Sequence, residues 1–450
     1  MNAAEVVDLC RSYSLFEWGT QEVNPLAIDR GEGCYLYTMD GRQILDFNSI
    51  AMNVNIGHGD QRITEAVAHQ MSKVSFVSPF MVTEVRAEVA KMLAEITPDG
   101  LTKSFFTLSG SDANEAAIRT ARLVTGRRKI LSRYRSYHGS THQVLALAGD
   151  PRREPVEGGM GDIVRIPDPY HYRCPWITDE KEFCEFNLDQ IEQIVRLEGA
   201  HTIAAVIVEP VTGSNGLIIP PDGWLSGLRD LCDRHGILLI CDEVMTGFGR
   251  TGEWFAVDHD GVTPDIMTVA KGITSGYVPL GACIVSDDIA AAVHDRPLGS
   301  GLTYQSHPVG LAAASATIPI YESDNLIERS KKMGGYLLEG LQDLASRHVS
   351  VGDVRGRGLF TAMELVYDHD SRLELFSMTG PASKANQDMK KLFDEEGLSC
   401  ALRGPFLFAN PPLVVDHDQI DWALTIFDRA LDIADSETAS AGASAPPHSE

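Results

Sequence analysis

Two charged residues end apolar runs where burial alone would call for neutral ones. Asp242 follows "GILLIC" and Lys271 follows "DIMTVA". An acid at the C-terminal end of a buried strand stands at the edge where open α/β sheets bind ligands. Burial of a lysine favours its neutral amine, the form that makes a Schiff base with an aldehyde. Upstream, "SFFTLSGSDANEAAIRTARLVTG" joins an apolar strand to a helical run through Ser109-Gly110-Ser111-Asp112. That junction sets free backbone N–H groups and the positive end of a helix dipole beside small residues. Gly110 permits close approach, and the Ser111 hydroxyl can donate. The stretch offers no P-loop lysine, so it suits one phosphate group rather than a nucleoside triphosphate; an ordinary helix cap is the alternative.

A rival reading comes from "DEVMTGFGRTGEW", where Gly247, Gly249 and Gly252 spell G-x-G-x-x-G. A dinucleotide fingerprint needs its first glycine at the strand-to-helix turn. Here Asp242 to Thr246 intervene, and "EWFAVDHDGVTP" is a poor helix. These glycines are expected in a loop that needs a permissive backbone. A lysine for an aldehyde, a carboxylate for a ring nitrogen and an anion cup for a phosphate are instead the parts that pyridoxal phosphate requires.

The elements that must position these residues can be read from hydrophobic rhythm. "SFFTL", "RKILSRY", "TIAAVIVEP", "GILLICDEV", "DIMTVAKG" and "GACIVS" are short apolar runs, several of them separated by helical patterns such as "GWLSGLRDLCDRHG". Continuous apolar strands alternating with helices predict a mainly parallel sheet covered on both faces. Before it, Asp40-Gly41 predicts a hairpin turn. After about residue 310, "LIERSKKMGGYLLEGLQDLASRH" predicts an amphipathic helix interrupted at Gly334-Gly335. Strands in "VSVGDVRGRGLFTAMELV" and a closing helix follow, as in a smaller α+β domain. The low-complexity stretch 436–450 is expected to be disordered.

At 450 residues the chain can divide into more than one domain; its 44% hydrophobic and 22% charged residues are ordinary for a globular protein. A formal charge of −25 disfavours nucleic acid and anionic membrane as partners. The eight cysteines include no C-x-x-C pair and read as reduced thiols. His171, Cys174 and Cys184 share a loop, but their spacing matches no standard zinc pattern, so no metal is expected. The first residues lack the basic start and apolar core of a signal peptide, and no stretch approaches the ~20 apolar residues of a membrane span. The expectation is a cytoplasmic protein.

Taken in order, "LSGSDANEAA", "SRYRSYHGST", "VIVEPVTG", "CDEVMTGFGRTG", "TVAKGITSGYVPLGA" and "GLTYQSHP" resemble the class III aminotransferases over about residues 5–435. Within that class, "LFEWGTQ", "MNVNIGHG", "DPYHYRCPW" and "FANPPL" are most similar to the taurine–2-oxoglutarate branch. The resemblance implies fold type I: a large domain (66–309) with a mainly parallel seven-stranded sheet, and a small α+β domain from the N-terminal segment (1–65) and residues 310–435. It implies pyridoxal 5′-phosphate as cofactor, and a homodimer with shared active sites or a tetramer built from it. The implied reaction is ping-pong transfer of an amino group from an ω-amino acid or aminosulfonate such as taurine to 2-oxoglutarate or pyruvate. A racemase, epimerase or aminomutase on the same scaffold is the alternative enzyme, and a non-catalytic binding protein the third reading.

By the same resemblance, Lys271 would hold the cofactor and shuttle a proton, and Asp242 would pair with the ring nitrogen. Val244 would lie under the ring, Tyr137 would stack on its other face, and His138 would sit beside it. Gly110 and Ser111 would bind the phosphate, with Thr303 completing the cup from the neighbouring subunit. Glu209 would lie near the phenolic side of the cofactor and the substrate. Arg403 would pair with Glu209 when the donor is bound, and swing to grip the α-carboxylate of the acceptor by its planar fork. Phe16 and Trp18 are candidates for the donor pocket. Two positions depart from the family pattern: Met245 stands where glutamine is common, and "TYQSHP" brings in Gln305.

Overall fold

The computed structural model describes residues 1–17, 19–154 and 162–441. A helix, α1 (Ala3–Tyr13), precedes a meander of β1 (Ile28–Glu32), β2 (Tyr35–Thr38) and β3 (Gln43–Asp46). The β2–β3 turn falls at Asp40-Gly41, and Gly41 takes a φ of 90° that a side chain would resist. Helices α2 (Gln61–Lys73) and α3 (Glu84–Ile96) lead into the central sheet.

That sheet contains β4 (Leu101–Thr107), β5 (Lys129–Arg133), β6 (Ile163–Ile166), β7 (Ile203–Val208), β8 (Leu238–Asp242), β9 (Ile266–Val269) and β10 (Gly281–Ser286). In space the order is β4-β10-β9-β8-β7-β5-β6, and β10 runs antiparallel to both of its neighbours. The remaining pairs, from β9 to β6, are parallel. Three helices, α4 (Gly110–Thr125), α5 (Glu180–Glu198) and α6 (Trp224–His235), belong to this unit. Strand β7 shows why its run is wholly apolar. Ala205 and Ile207 pack with Ala117 and Ala121 of α4, whereas Val206 and Val208 join the core that contains Trp224 and Leu228 of α6. Successive side chains face opposite sides, so a sheet covered on both has no polar position to offer. Each Val or Ile so buried contributes about 1.5–3 kcal/mol. The buried stripe of α4 is mostly alanine, which lets the helix that starts at the site lie close on the sheet.

Downstream come α7 (Pro308–Ser323), α8 (Leu326–Arg347), β11 (Val351–Arg357), β12 (Phe360–Leu365), α9 (Lys384–Glu396), β13 (Leu398–Ser399), β14 (Ala401–Arg403), β15 (Phe406–Ala409) and α10 (His417–Ala441). Strands β11-β12-β15-β14 form an antiparallel sheet, while β13 pairs in parallel with β3 and completes the N-terminal sheet. Two expectations need correction. Helix α8 runs through Gly334-Gly335 without interruption. A Cβ on Gly334 would collide with the backbone of Gly358, so this glycine serves close packing rather than a break. Helix α10 continues to Ala441, into the stretch expected to be disordered from 436. Once its apolar stripe of Ile420, Ala423, Phe427 and Leu431 is docked, propagation costs little; residues 442–450 lie outside the described residues.

The glycine-rich string is a loop of turns, with φ of 58° at Phe248, 81° at Gly249 and 90° at Gly252. It serves to bury Arg250. That guanidinium donates to the Leu359 carbonyl (3.0 Å), the Pro411 carbonyl (2.6 Å), Ser49 Oγ (2.9 Å) and Asn55 Oδ1 (2.8 Å). The loop thus ties the large domain to segments from both ends of the chain. Among the described residues, no helix is long and apolar enough to cross a membrane.

Candidate active site

A cavity of about 390 Å³ opens where β7, β8 and β9 end, and its wall includes Gly110, Ser111, Tyr137, His138, Glu209, Asp242, Val244 and Lys271. Residues scattered over 160 positions of sequence meet because parallel strands present their C-terminal ends on one edge.

Lys271 opens a 3-10 turn directly after β9, with a φ of 47°. For a residue with a side chain this conformation costs about 1–3 kcal/mol and persists only where neighbours enforce it. The Tyr321 hydroxyl does so by donating to the Gly272 carbonyl (2.7 Å). Burial pushes the amine down to about 8, against the Asp242 and Glu209 carboxylates, which pull it up. The neutral form attacks an aldehyde, so capture of an added aldehyde by the apoprotein is expected to quicken as pH rises, with a midpoint near 8. An ordinary lysine would place that midpoint near ~10.4. Stopped-flow absorbance across this range measures it, and a midpoint above ~10 contradicts the buried-amine account.

Asp242 ends β8 with its carboxylate held from several sides. Its Oδ2 lies 2.8 Å from His138 Nδ1 and accepts from Asn114 Nδ2 (2.8 Å), while Oδ1 accepts from the Val244 amide (3.0 Å). Asn114 also donates to the His138 carbonyl (2.8 Å) and accepts from the Thr268 hydroxyl (2.7 Å). The acid is therefore fixed by α4, β9 and the loop after β5 together. The sequence reading missed Asn114; its signal was a polar residue at a position of α4 that faces the sheet, four before the buried Ile118.

Glu209 follows β7 and is buried, and desolvation raises its pKa. Its Oε1 accepts from the Tyr137 amide (3.0 Å) and its Oε2 from the Gly213 amide (2.8 Å). Tyr137 also meets Ser140 through its hydroxyl (2.6 Å). Met245 fills the space beside Gly213, next to Glu209. Val244 bears on Gly110, where an added Cβ would stand 2.8 Å from Cγ1 and 2.9 Å from Cγ2. Gly110 thus allows the start of α4 to approach the loop after β8. Gly110→Ala is expected to destabilise the fold by about 1–3 kcal/mol, read from urea unfolding. Ser109 caps α4 by accepting from the Asp112 amide (3.3 Å), which leaves the Gly110 and Ser111 amides at the open helix end. Ser111 Oγ accepts from the Ser140 amide (3.0 Å) and retains its proton for an anion.

Three expected residues are not in this cavity wall. Thr303 is exposed and stands apart from it, Trp18 lies outside the described residues, and Arg403 ends β14 without lining the cavity. Arg403 also differs in partner. Glu209 is already satisfied by two amides, and Arg403 donates instead through Nη2 to Asp150 Oδ2. Asp150 in turn binds Arg152 by two parallel bonds of 2.8 Å each. The Arg152 guanidinium carbon stands 3.9 Å from the centre of the Tyr137 ring.

The cavity fits a pyridine that carries an aldehyde and a phosphate. It offers an amine shifted toward neutrality, a clamped buried carboxylate and a helix N-terminus with a hydroxyl. His138 Nε2 is a buried nitrogen with no hydrogen-bond partner among the described residues, and His138 lines the same wall.

Comparison with known proteins agrees with this chemistry. The family model described as aminotransferase class-III matches residues 18–431. The chain is 34% identical over 416 residues to a putrescine–pyruvate aminotransferase of Pseudomonas aeruginosa, covering 90% of each chain. It is 35% identical over 428 residues to a leucine/methionine racemase of Thermococcus litoralis, covering 93% of each. The solved structure of taurine:2-oxoglutarate aminotransferase from Bifidobacterium kashiwanohense, in complex with PLP and glutamate, superposes with a TM-score of 0.94 at 36% identity. That match covers 97% of this chain and 99% of the other. The chain belongs to the class III aminotransferases and is a pyridoxal 5′-phosphate-dependent transaminase of fold type I.

Proposed function

We propose that this transaminase takes the amino group of an ω-amino acid or a taurine-like aminosulfonate and delivers it to 2-oxoglutarate or pyruvate in a ping-pong cycle. The observation that carries the reading is the pair of guanidiniums, Arg152 on the Tyr137 ring and Arg403 joined through Asp150, beside a cavity that holds Lys271 and Asp242. Anionic groups on both donor and acceptor suit such a surround. Relatives that act on putrescine with pyruvate and on taurine with 2-oxoglutarate support amines distant from an α-carbon as donors.

In this reading, bound pyridoxal phosphate carries the amino group between the two half-reactions and draws electrons from the substrate bond that breaks. Lys271 anchors it through Nζ and moves the proton at the substrate carbon. The Asp242 carboxylate, held in place by Asn114 and His138, would keep the ring nitrogen protonated. Tyr137 and Val244 enclose the ring, and the Gly110 amide with the Ser111 amide and hydroxyl binds the phosphate. Glu209 borders the phenolic side, and Thr303 completes the phosphate cup of a neighbouring subunit in a cytoplasmic homodimer. Arg403 would take the acceptor's carboxylate, and Trp18, outside the described residues, is assigned to the donor pocket. An activity matrix of amine donors against oxo-acid acceptors on purified protein tests the assignment, and taurine or β-alanine with 2-oxoglutarate or pyruvate should lead it. Absence of transfer from every such donor overturns it.

The relationship to a leucine/methionine racemase supports a second reading, reprotonation of a chiral amino acid without transfer. Incubation of one enantiomer without oxo acid separates the two. Loss of optical purity at a rate matching the best transamination favours the racemase.

A further inference from the structure

Asp150 has no exposed side-chain surface, yet it is shared by two arginines. Arg152 occupies both carboxylate oxygens, and its own amide donates to Oδ1 (2.9 Å). Arg403 adds one bond from Nη2 to Oδ2 and is partly exposed. Among the described residues, this is the one hydrogen bond that the Arg403 side chain makes, so most of its planar fork stays available for another carboxylate. Glu209, an acid of the cavity wall, is committed to the Tyr137 and Gly213 amides. One carboxylate against two guanidiniums leaves a local excess of positive charge, next to the ring of Tyr137 that lines the cavity.

We propose that Asp150 is the resident competitor of a substrate carboxylate for Arg403, and thereby sets the affinity of the site for a dicarboxylate acceptor. The inference rests on the proposed acceptor chemistry. With the site empty of dicarboxylate, Asp150 holds the guanidinium back from the cavity. An incoming carboxylate has the same charge and geometry, and displaces Asp150 from Arg403 while Arg152 continues to neutralise it. Arg152 and Arg403 hold the Asp150 carboxyl down at about 2, so it stays ionised at any working pH.

Glutarate, an unreactive dicarboxylate, is the probe. Its Kd on the holoenzyme is measured calorimetrically for wild type, Asp150→Asn, Asp150→Ser, Arg403→Leu and the double variant D150N/R403L. Both Asp150 variants are expected to bind glutarate about tenfold more tightly, the gain falling below about twofold in the Arg403→Leu background. A merely structural Asp150 would weaken binding when replaced. Serine keeps an oxygen that can cap the following turn, so it serves if the asparagine variant fails to fold. Unchanged or weaker binding in the folded variants overturns the proposal, as does a gain that survives loss of Arg403. These titrations need no turnover. If no amine donor reacts, the assigned reaction fails while the binding result stands, and unchanged glutarate affinity removes the Asp150 role while the reaction stands.

Discussion

Replacing Lys271 with alanine is expected to lower turnover of the best amine donor by about 10⁴-fold, the upper range for loss of a positioned proton-transfer group. The size follows from the two duties proposed for one side chain, anchoring the cofactor's aldehyde and moving the proton, and among the described residues no second lysine lines the cavity. The phosphate cup proposed at the start of α4 and the Asp242 network do not depend on the lysine, so the variant should still take up cofactor. Borohydride treatment supplies an independent readout. In the wild type it should fix the cofactor's mass on the peptide containing Lys271, and in the variant on none. Turnover within about tenfold of wild type would remove the covalent role altogether.

Asp242→Asn should be the second most damaging change, lowering the single-turnover rate with excess donor by about 10³-fold. This corresponds to about 4 kcal/mol, in the range for removing one partner of a buried ion pair. The amide preserves shape but cannot hold a proton on the ring nitrogen. It also presents an N–H₂ group to Asn114 Nδ2 or His138 Nδ1, where the carboxylate accepted at 2.8 Å from each side. Stopped-flow absorbance of the cofactor measures the rate, and far-UV circular dichroism checks that the fold survives. A rate within about threefold of wild type means that the ring nitrogen needs no anion here.

Legibility in the sequence followed burial. Strands β7, β8 and β9 could be read because both faces are covered, so their runs are unbroken, and a charge at the end of such a run stands out. That is how Asp242 and Lys271 stood out, whereas Glu209 came from the family resemblance. Strand β6 escaped because it is a short edge strand, mostly half-buried, with Arg165 in its middle. Asn114 escaped because a polar residue in an amphipathic helix looks like any solvent-facing position until the sheet behind it is known. The Asp150–Arg403 pair joins residues 253 positions apart, a proximity no local spacing encodes. The family pattern instead supplied Glu209 as partner, whose amide donors come from a turn geometry invisible in the sequence. Gly334 misled for a related reason: its missing side chain answers to Gly358 in the turn between β11 and β12, and the helix itself does not need it.

The pairing of β13 with β3 sets a clock on biosynthesis. Leu45 meets Leu398, so the ribosome must add roughly 350 residues before the third strand gains its second neighbour. At ~5–20 residues per second that is roughly 20–70 s, during which the nascent chain carries an unpaired strand edge beside an apolar face. A chain that stops short of Leu398 lacks the strand that closes this edge.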